Sequence, residues 1–92
     1  MTHNILIDPN LAVITSKYVL ENNFPILEVI HNTDGIWEFY SNNLFDAIDF
    51  RVVSLEEIVK LDSSISCILH IQEGYFAQRK NQSSEWIIQK IG

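Results

Sequence analysis

The chain is poor in the residues that most often carry chemistry. Its single cysteine, Cys67, excludes an internal disulfide and cannot supply a structural zinc site, whose tetrahedral shell draws on several thiolates and imidazoles. His3, His31 and His70 are scattered and form no H-x-x-x-H pair, so neither a metal nor another cofactor is expected. Three glycines leave little room for a phosphate cradle, and no G-x-x-x-x-G-K-[ST], G-x-G-x-x-G or nucleophile-elbow pattern occurs. Only six Lys and Arg stand against twelve Asp and Glu, giving a formal charge of -6. Nucleic acid is thereby excluded as a partner, because phosphate binding depends on basic side chains displacing condensed counterions. No apolar run approaches the roughly 20 residues that span a bilayer. Met1-Thr2-His3-Asn4 lacks the basic and apolar regions of an export signal. The chain therefore reads as cytoplasmic, without a membrane partner, and a lone thiol fits a reducing compartment.

What is present points to a small α+β domain. With 92 residues and 47% hydrophobic content, the chain can form one core and one domain, 1–92. Asp8-Pro9-Asn10 is a turn signal that sets off residues 1–10 as a loose N-terminal segment. A short strand follows from Leu11 to about Thr15, and Thr15 or Ser16 caps a brief helix that closes at Asn22-Asn23. Pro25 opens the next strand, Ile26 to His31. Asp34-Gly35 marks a hairpin, and Ile36 to Ser41 returns as an aromatic strand.

A two-residue type I′ turn at Asp34-Gly35 would set Thr33 opposite Ile36 and His31 opposite Glu38. Side-chain alternation then puts Ile26, Glu28, Ile30, Trp37 and Phe39 on one face, expected to be the core. Leu27, Val29, His31, Ile36, Glu38 and Tyr40 share the other. Facing His31, Glu38 would favour the imidazolium as part of a partly solvated cross-strand pair.

Ser54 and Glu57 have the spacing of a capping box, with Leu55, Ile58, Val59 and Leu61 forming an apolar stripe, so a helix is expected over 54–61. Ile65 to Ile71 reads as a buried connector or short strand, with Cys67 a small buried hydrophobe and His70 a packing residue. Gly74 introduces a second hairpin, Tyr75–Lys80 and Glu85–Ile91, around the polar turn Asn81–Ser84. Arg79, Lys80 and Lys90 form its basic group, which suits guarding a sheet edge. The architecture expected is a mainly antiparallel sheet of about five strands with two short helices.

The loop Asn42 to Phe50 sets Asp46 and Asp49 beside Phe45 and Phe50. General acid–base work would need two such carboxyls around a cleft with separated pKa values, and the sequence shows only their proximity. Acids beside aromatics suit binding better than catalysis, and the chain reads as a non-enzyme.

The order Ala12-Val13, Thr15-Ser16, Pro25, Trp37-Glu38-Phe39-Tyr40-Ser41, Asp46, Val53-Ser54-Leu55, Ile58, Asp62, Leu69, Gly74, Ala77 and Arg79 resembles a bacterial family of domains of unknown function. That family is grouped with polymorphic-toxin immunity proteins as immunity protein family 33. The resemblance implies neutralisation of a cognate toxin by steric occlusion, without catalytic residues. A basic toxin domain is then the expected partner, met by Glu38, Tyr40, Asp46 and Asp49. The alternative expectation is a structural or regulatory accessory domain that homodimerises through a sheet edge.

Overall fold

The computed structural model describes residues 7–92; His3 and the rest of segment 1–6 lie outside them. Among the described residues, six strands form one mixed sheet: β1 Ala12–Ser16, β2 Glu28–His31, β3 Trp37–Tyr40, β4 Phe50–Ser54, β5 Tyr75–Gln78 and β6 Ile87–Lys90. Two α-helices, α1 Lys17–Glu21 and α2 Leu55–Leu61, and two 3-10 turns, Ala47–Asp49 and Ser63–Ile68, complete the chain. The strand order is β4-β1-β3-β2-β5-β6. Every pairing is antiparallel except β1 with β3.

The α+β class and the mainly antiparallel sheet agree with the sequence, whereas the strand count rises to six. The addition is β4, which the sequence showed only as the end of an acidic loop and the entry to a helix. The parallel pair arises because the β2–β3 hairpin folds back so that β3 fills the slot between β1 and β2.

Two serines make the strand-to-helix transitions. Ser16 ends β1 with extended backbone angles (φ -115°, ψ 160°), and its hydroxyl accepts from Val19 N at 3.3 Å. Ser54 ends β4 in the same way, accepting from Glu57 N at 3.3 Å while the Glu57 carboxylate accepts from Ser54 N at 3.5 Å. An N-cap residue needs extended angles, so the last residue of a strand can serve without distortion. Leu11 and Pro9 carbonyls take the next two N–H groups of α2, from Leu55 and Glu56, both at 2.9 Å. The Asp8–Leu11 turn thus sits against the helix start.

The first hairpin is one residue longer in its loop than the sequence indicated. Asn32 N donates to Ile36 O at 2.9 Å, and Gly35 N donates to Asn32 O at 2.9 Å, leaving Thr33-Asp34-Gly35 as the loop. Gly35 holds φ +88°, the left-handed position that closes such loops with a bulge. His31 therefore faces Trp37, and Glu38 faces Ile30. A one-residue slip exchanges the faces of one strand relative to the other. Val29, His31, Trp37 and Phe39 lie on the inner side, while Glu28, Ile30, Glu38 and Tyr40 point outward. The expected His31–Glu38 pair is absent; the His31 ring stacks on Trp37 at 3.9 Å, with Nδ1 2.9 Å from Ile71 O.

The inner side carries the core: Val13, Val29, Trp37, Phe39 and Ala77 from the sheet meet Val19, Leu55, Ile58, Ile65, Ile68 and Ile71. In the Ser63–Ile68 turn the three-residue repeat sends Ile65 and Ile68 inward and leaves Cys67 exposed. His70, three residues on, is exposed too, with Nδ1 3.0 Å from Cys67 O. Both were expected inside.

Arg79 is the larger correction. Its side chain is only 2% exposed. Nε and Nη2 donate to Ile26 O at 3.1 and 2.9 Å, and Nη2 also reaches Asp62 Oδ2 at 2.7 Å. Nη1 donates to Ser64 Oγ at 3.1 Å and Gln82 O at 3.3 Å, and Trp86 lies over the guanidinium at 4.2 Å. All five N–H donors are used. Burial alone would raise the Asp62 carboxyl, but hydrogen bonds from Ser64 and Arg79 and the guanidinium charge hold it below the usual carboxylate range. Removing one member of a buried pair strands the other, at about 3–5 kcal/mol. Arg79→Met is expected to lower the stability from urea denaturation by that amount. Arg79→Lys should recover little of it, since an ammonium cannot reproduce the planar fork.

Candidate functional site

The outward face of the sheet is the surface that no helix covers. Register places Val52, Ile14, Glu38, Ile30, Phe76 and Gln89 in one row across all six strands. The neighbouring row runs through Phe50, Ser16, Tyr40, Glu28, Gln78 and Ile87. Neither row contains Lys or Arg.

Glu38 sits at the centre of this face. Asn32 Nδ2 and the Tyr40 hydroxyl donate to its two carboxylate oxygens. Both donors are neutral, and no Lys or Arg pairs with the carboxylate among the described residues. Tyr40 is buried, and its pKa is raised well above the ordinary phenol value, first by that burial, then by its bond to Glu38 and the charges of Glu38 and Glu28. It therefore stays a protonated donor. Glu28, opposite Tyr40, accepts from Gln78 Nε2 at 3.0 Å and likewise has no cation partner among the described residues.

The Asn42–Phe50 loop folds onto Tyr40. Phe45 lies 5.0 Å and Phe50 6.0 Å from the Tyr40 ring, and the two phenylalanines meet edge to face at 5.2 Å. The aromatic cluster anchors the loop base, leaving Leu44, Ile48 and Asp46 at its surface. Leu44 is 97% and Ile48 82% exposed, continuous in sequence with Phe50 and Val52 at 44% and 70%. Large apolar side chains are seldom so bare in one short stretch.

The four site residues expected from the sequence stand in different environments: Glu38 and Tyr40 bond each other on the outward face, and Asp46 and Asp49 bond each other in the loop. Glu38 is half-buried, Tyr40 buried and Asp46 exposed. Asp49 is nearly enclosed: Oδ2 accepts from Asp46 N at 3.0 Å and from the Tyr18 hydroxyl at 3.4 Å, and Oδ1 meets Lys17 Nζ at 3.3 Å. Its carboxylate ties the loop to α1. Nothing in the sequence singles out Leu44, Ile48 and Val52; their exposure follows from where the loop and β4 lie in the fold.

Reactive constellations are not assembled here. Among the described residues no cluster of three His, Cys, Asp or Glu side chains could hold a metal ion. Neither described histidine ring is bonded to a hydroxyl, thiol or carboxylate; each meets a backbone carbonyl. Among the described residues no helix is long and apolar enough to cross a membrane. A cleft of about 280 Å³ opens beside Glu28, lined also by Leu27, Asn42, Gln78, Ile87 and the two basic residues Arg79 and Lys80. The comparisons with protein-family models, curated proteins and solved structures return no match.

The Asp49 carboxyl is pulled below the usual range, chiefly by the Asp46 N–H and then by Lys17 and Tyr18, against the opposing effect of burial. A depressed native pKa stabilises the fold above the unfolded value, near 4, and that contribution is lost as pH falls through the native value. Asp49→Asn is expected to lower the denaturation midpoint at pH 7 and to flatten its decline below about pH 4. Parallel acid limbs in the two proteins would show that the loop tie contributes nothing.

Proposed function

We propose that the protein is a non-catalytic protein-binding module that holds a basic partner on the outward sheet face and its loop. The observation that carries this reading is the exposure of Leu44, Ile48, Phe50 and Val52 at one border of a sheet face whose central carboxylates, Glu38 and Glu28, form no ion pair among the described residues. Exposed apolar anchors supply contact energy once desolvated, and uncompensated carboxylates attract a cationic surface and reject an acidic one.

In the resemblance to immunity protein family 33, this module becomes a bacterial cytoplasmic protein that blocks a cognate toxin by occupying its surface. Steric occlusion needs no turnover, so the proposal assigns binding roles alone. Glu38 offers charge in the middle of the face, Tyr40 fixes that charge, and Asp46 stands at the loop surface. Asp49 acts by holding the loop in place.

The test is a search for an adjacent toxin-like gene, co-purification with its product, and rescue from that product's toxicity. Leu44→Ala with Ile48→Ala is expected to weaken the complex about tenfold or more with the unfolding midpoint unchanged, as truncating interface anchors does. Asp46→Lys should slow association. A complex that forms with full affinity in both variants sinks this surface, and the absence of any complex or protection sinks the immunity reading.

A further inference from the structure

We propose that the free edge of β6 pairs with β6 of a second copy, antiparallel and centred on Ile88. The backbone phase sets which groups are available. Ile91 N donates to Gly74 O at 2.8 Å, so with the β5–β6 register Ile87, Gln89 and Ile91 direct their N–H and C=O toward β5. Those of Trp86, Ile88 and Lys90 point out of the sheet. All four residues of β6 are exposed, with Ile87 at 60% and Ile88 at 44% on opposite faces. Such an edge is a template for another strand.

Symmetry narrows the occupant and the register. A two-fold axis normal to the sheet keeps each residue on its own face, so paired residues must have equal parity. Centring on Ile88 brings the whole segment Glu85–Ile91 into overlap, lets the two Ile88 residues exchange both backbone bonds, and sets Lys90 opposite the second copy's Trp86. The two Lys90 ammonium groups then stay at opposite ends. Centring on Gln89 or Lys90 would shorten the overlap and bring the lysines together.

A second feature occupies the same place. Because no helix reaches the inner side of β6, a cleft of about 260 Å³ lies there, lined by His70, Ile71, Gln72, Tyr75 and Ile88. In the Ile88-centred register the second copy's Ile88 side chain lies on this inner side, directly beside that cleft. The edge thus supplies backbone bonds and the cleft supplies apolar contact, both at the dyad. The pairing involves neither the Asn42–Phe50 loop nor β4, at the opposite edge, and stands independently of the toxin-binding proposal.

Sedimentation equilibrium of the wild-type chain is expected to show a concentration-dependent dimer. Ile88→Pro removes the outward N–H and the apolar side chain at the dyad while leaving the β5–β6 bonds in place, and should give a monomer with unchanged circular dichroism. In a Cys67→Ser background, Ile88→Cys should cross-link to itself under mild oxidation, whereas Gln89→Cys, whose opposite residue is Ile87, should not. The cysteine pair also decides the matter if Ile88→Pro fails to fold. A chain that is monomeric at every concentration, a dimer that survives Ile88→Pro, equal cross-linking of both cysteines, or an edge that takes up unrelated strand peptides without self-association would each overturn the proposal.

Discussion

The Arg79 guanidinium is the point on which separate parts of the fold depend. It stands at the end of β5 and binds the carbonyl that leads into β2, the carboxylate that ends α2, the hydroxyl that starts the second 3-10 turn, and the carbonyl in the β5–β6 connection. The chain at Ile26, the Asp62–Ser64 turn and the nearby Gln82 are tied to one planar group. An enclosed cation is costly in itself, and here every N–H is met and one partner is charged, so the arrangement specifies geometry as well as contributing energy. Trp86, just before β6, closes the site. The sheet edge and the helical layer are therefore coupled through one side chain.

Around that hub, both strand-to-helix transitions use the same local device. Ser16 and Ser54 finish a strand and cap the next helix, which lets α1 and α2 start without an intervening loop and places them on the same side of the sheet. With the Ser63–Ile68 turn they enclose one face around Val29, Trp37 and Phe39. The other face is left to side chains alone and to the loop anchored by Phe45 and Phe50. That asymmetry leaves the outward face open, with a half-buried carboxylate at its centre and bare aliphatics along its border.

The extent to which this was legible in the sequence follows from the range of the interactions. The capping box at Ser54 and Glu57, the Ser16 cap and the turn at Gly35 involve partners within a few residues, and their positions were read correctly. Trp37 and Phe39 were assigned to the core, and Glu38 and Tyr40 to the opposite face, because alternation within one strand is local. The partner strand was misassigned: one extra loop residue moved Val29 inward and Ile30 outward, since parity depends on loop length, and Asp-Gly is compatible with more than one. The acids and aromatics of the candidate surface are legible by type; the exposure of Leu44, Ile48 and Val52 is not, because it depends on where the loop and β4 lie in the fold.

By itself the sequence determined an acidic, single-thiol α+β chain with two serine-capped helices and two hairpins, because composition and short-range hydrogen bonds decide those features. Tertiary structure alone decided the β4-β1-β3-β2-β5-β6 order, the parallel β1–β3 pair, the exposure of Cys67 and the burial of Arg79. Each of these depends on which distant segments come together, and the energy of that meeting lies in burial and long-range hydrogen bonds that no local pattern encodes.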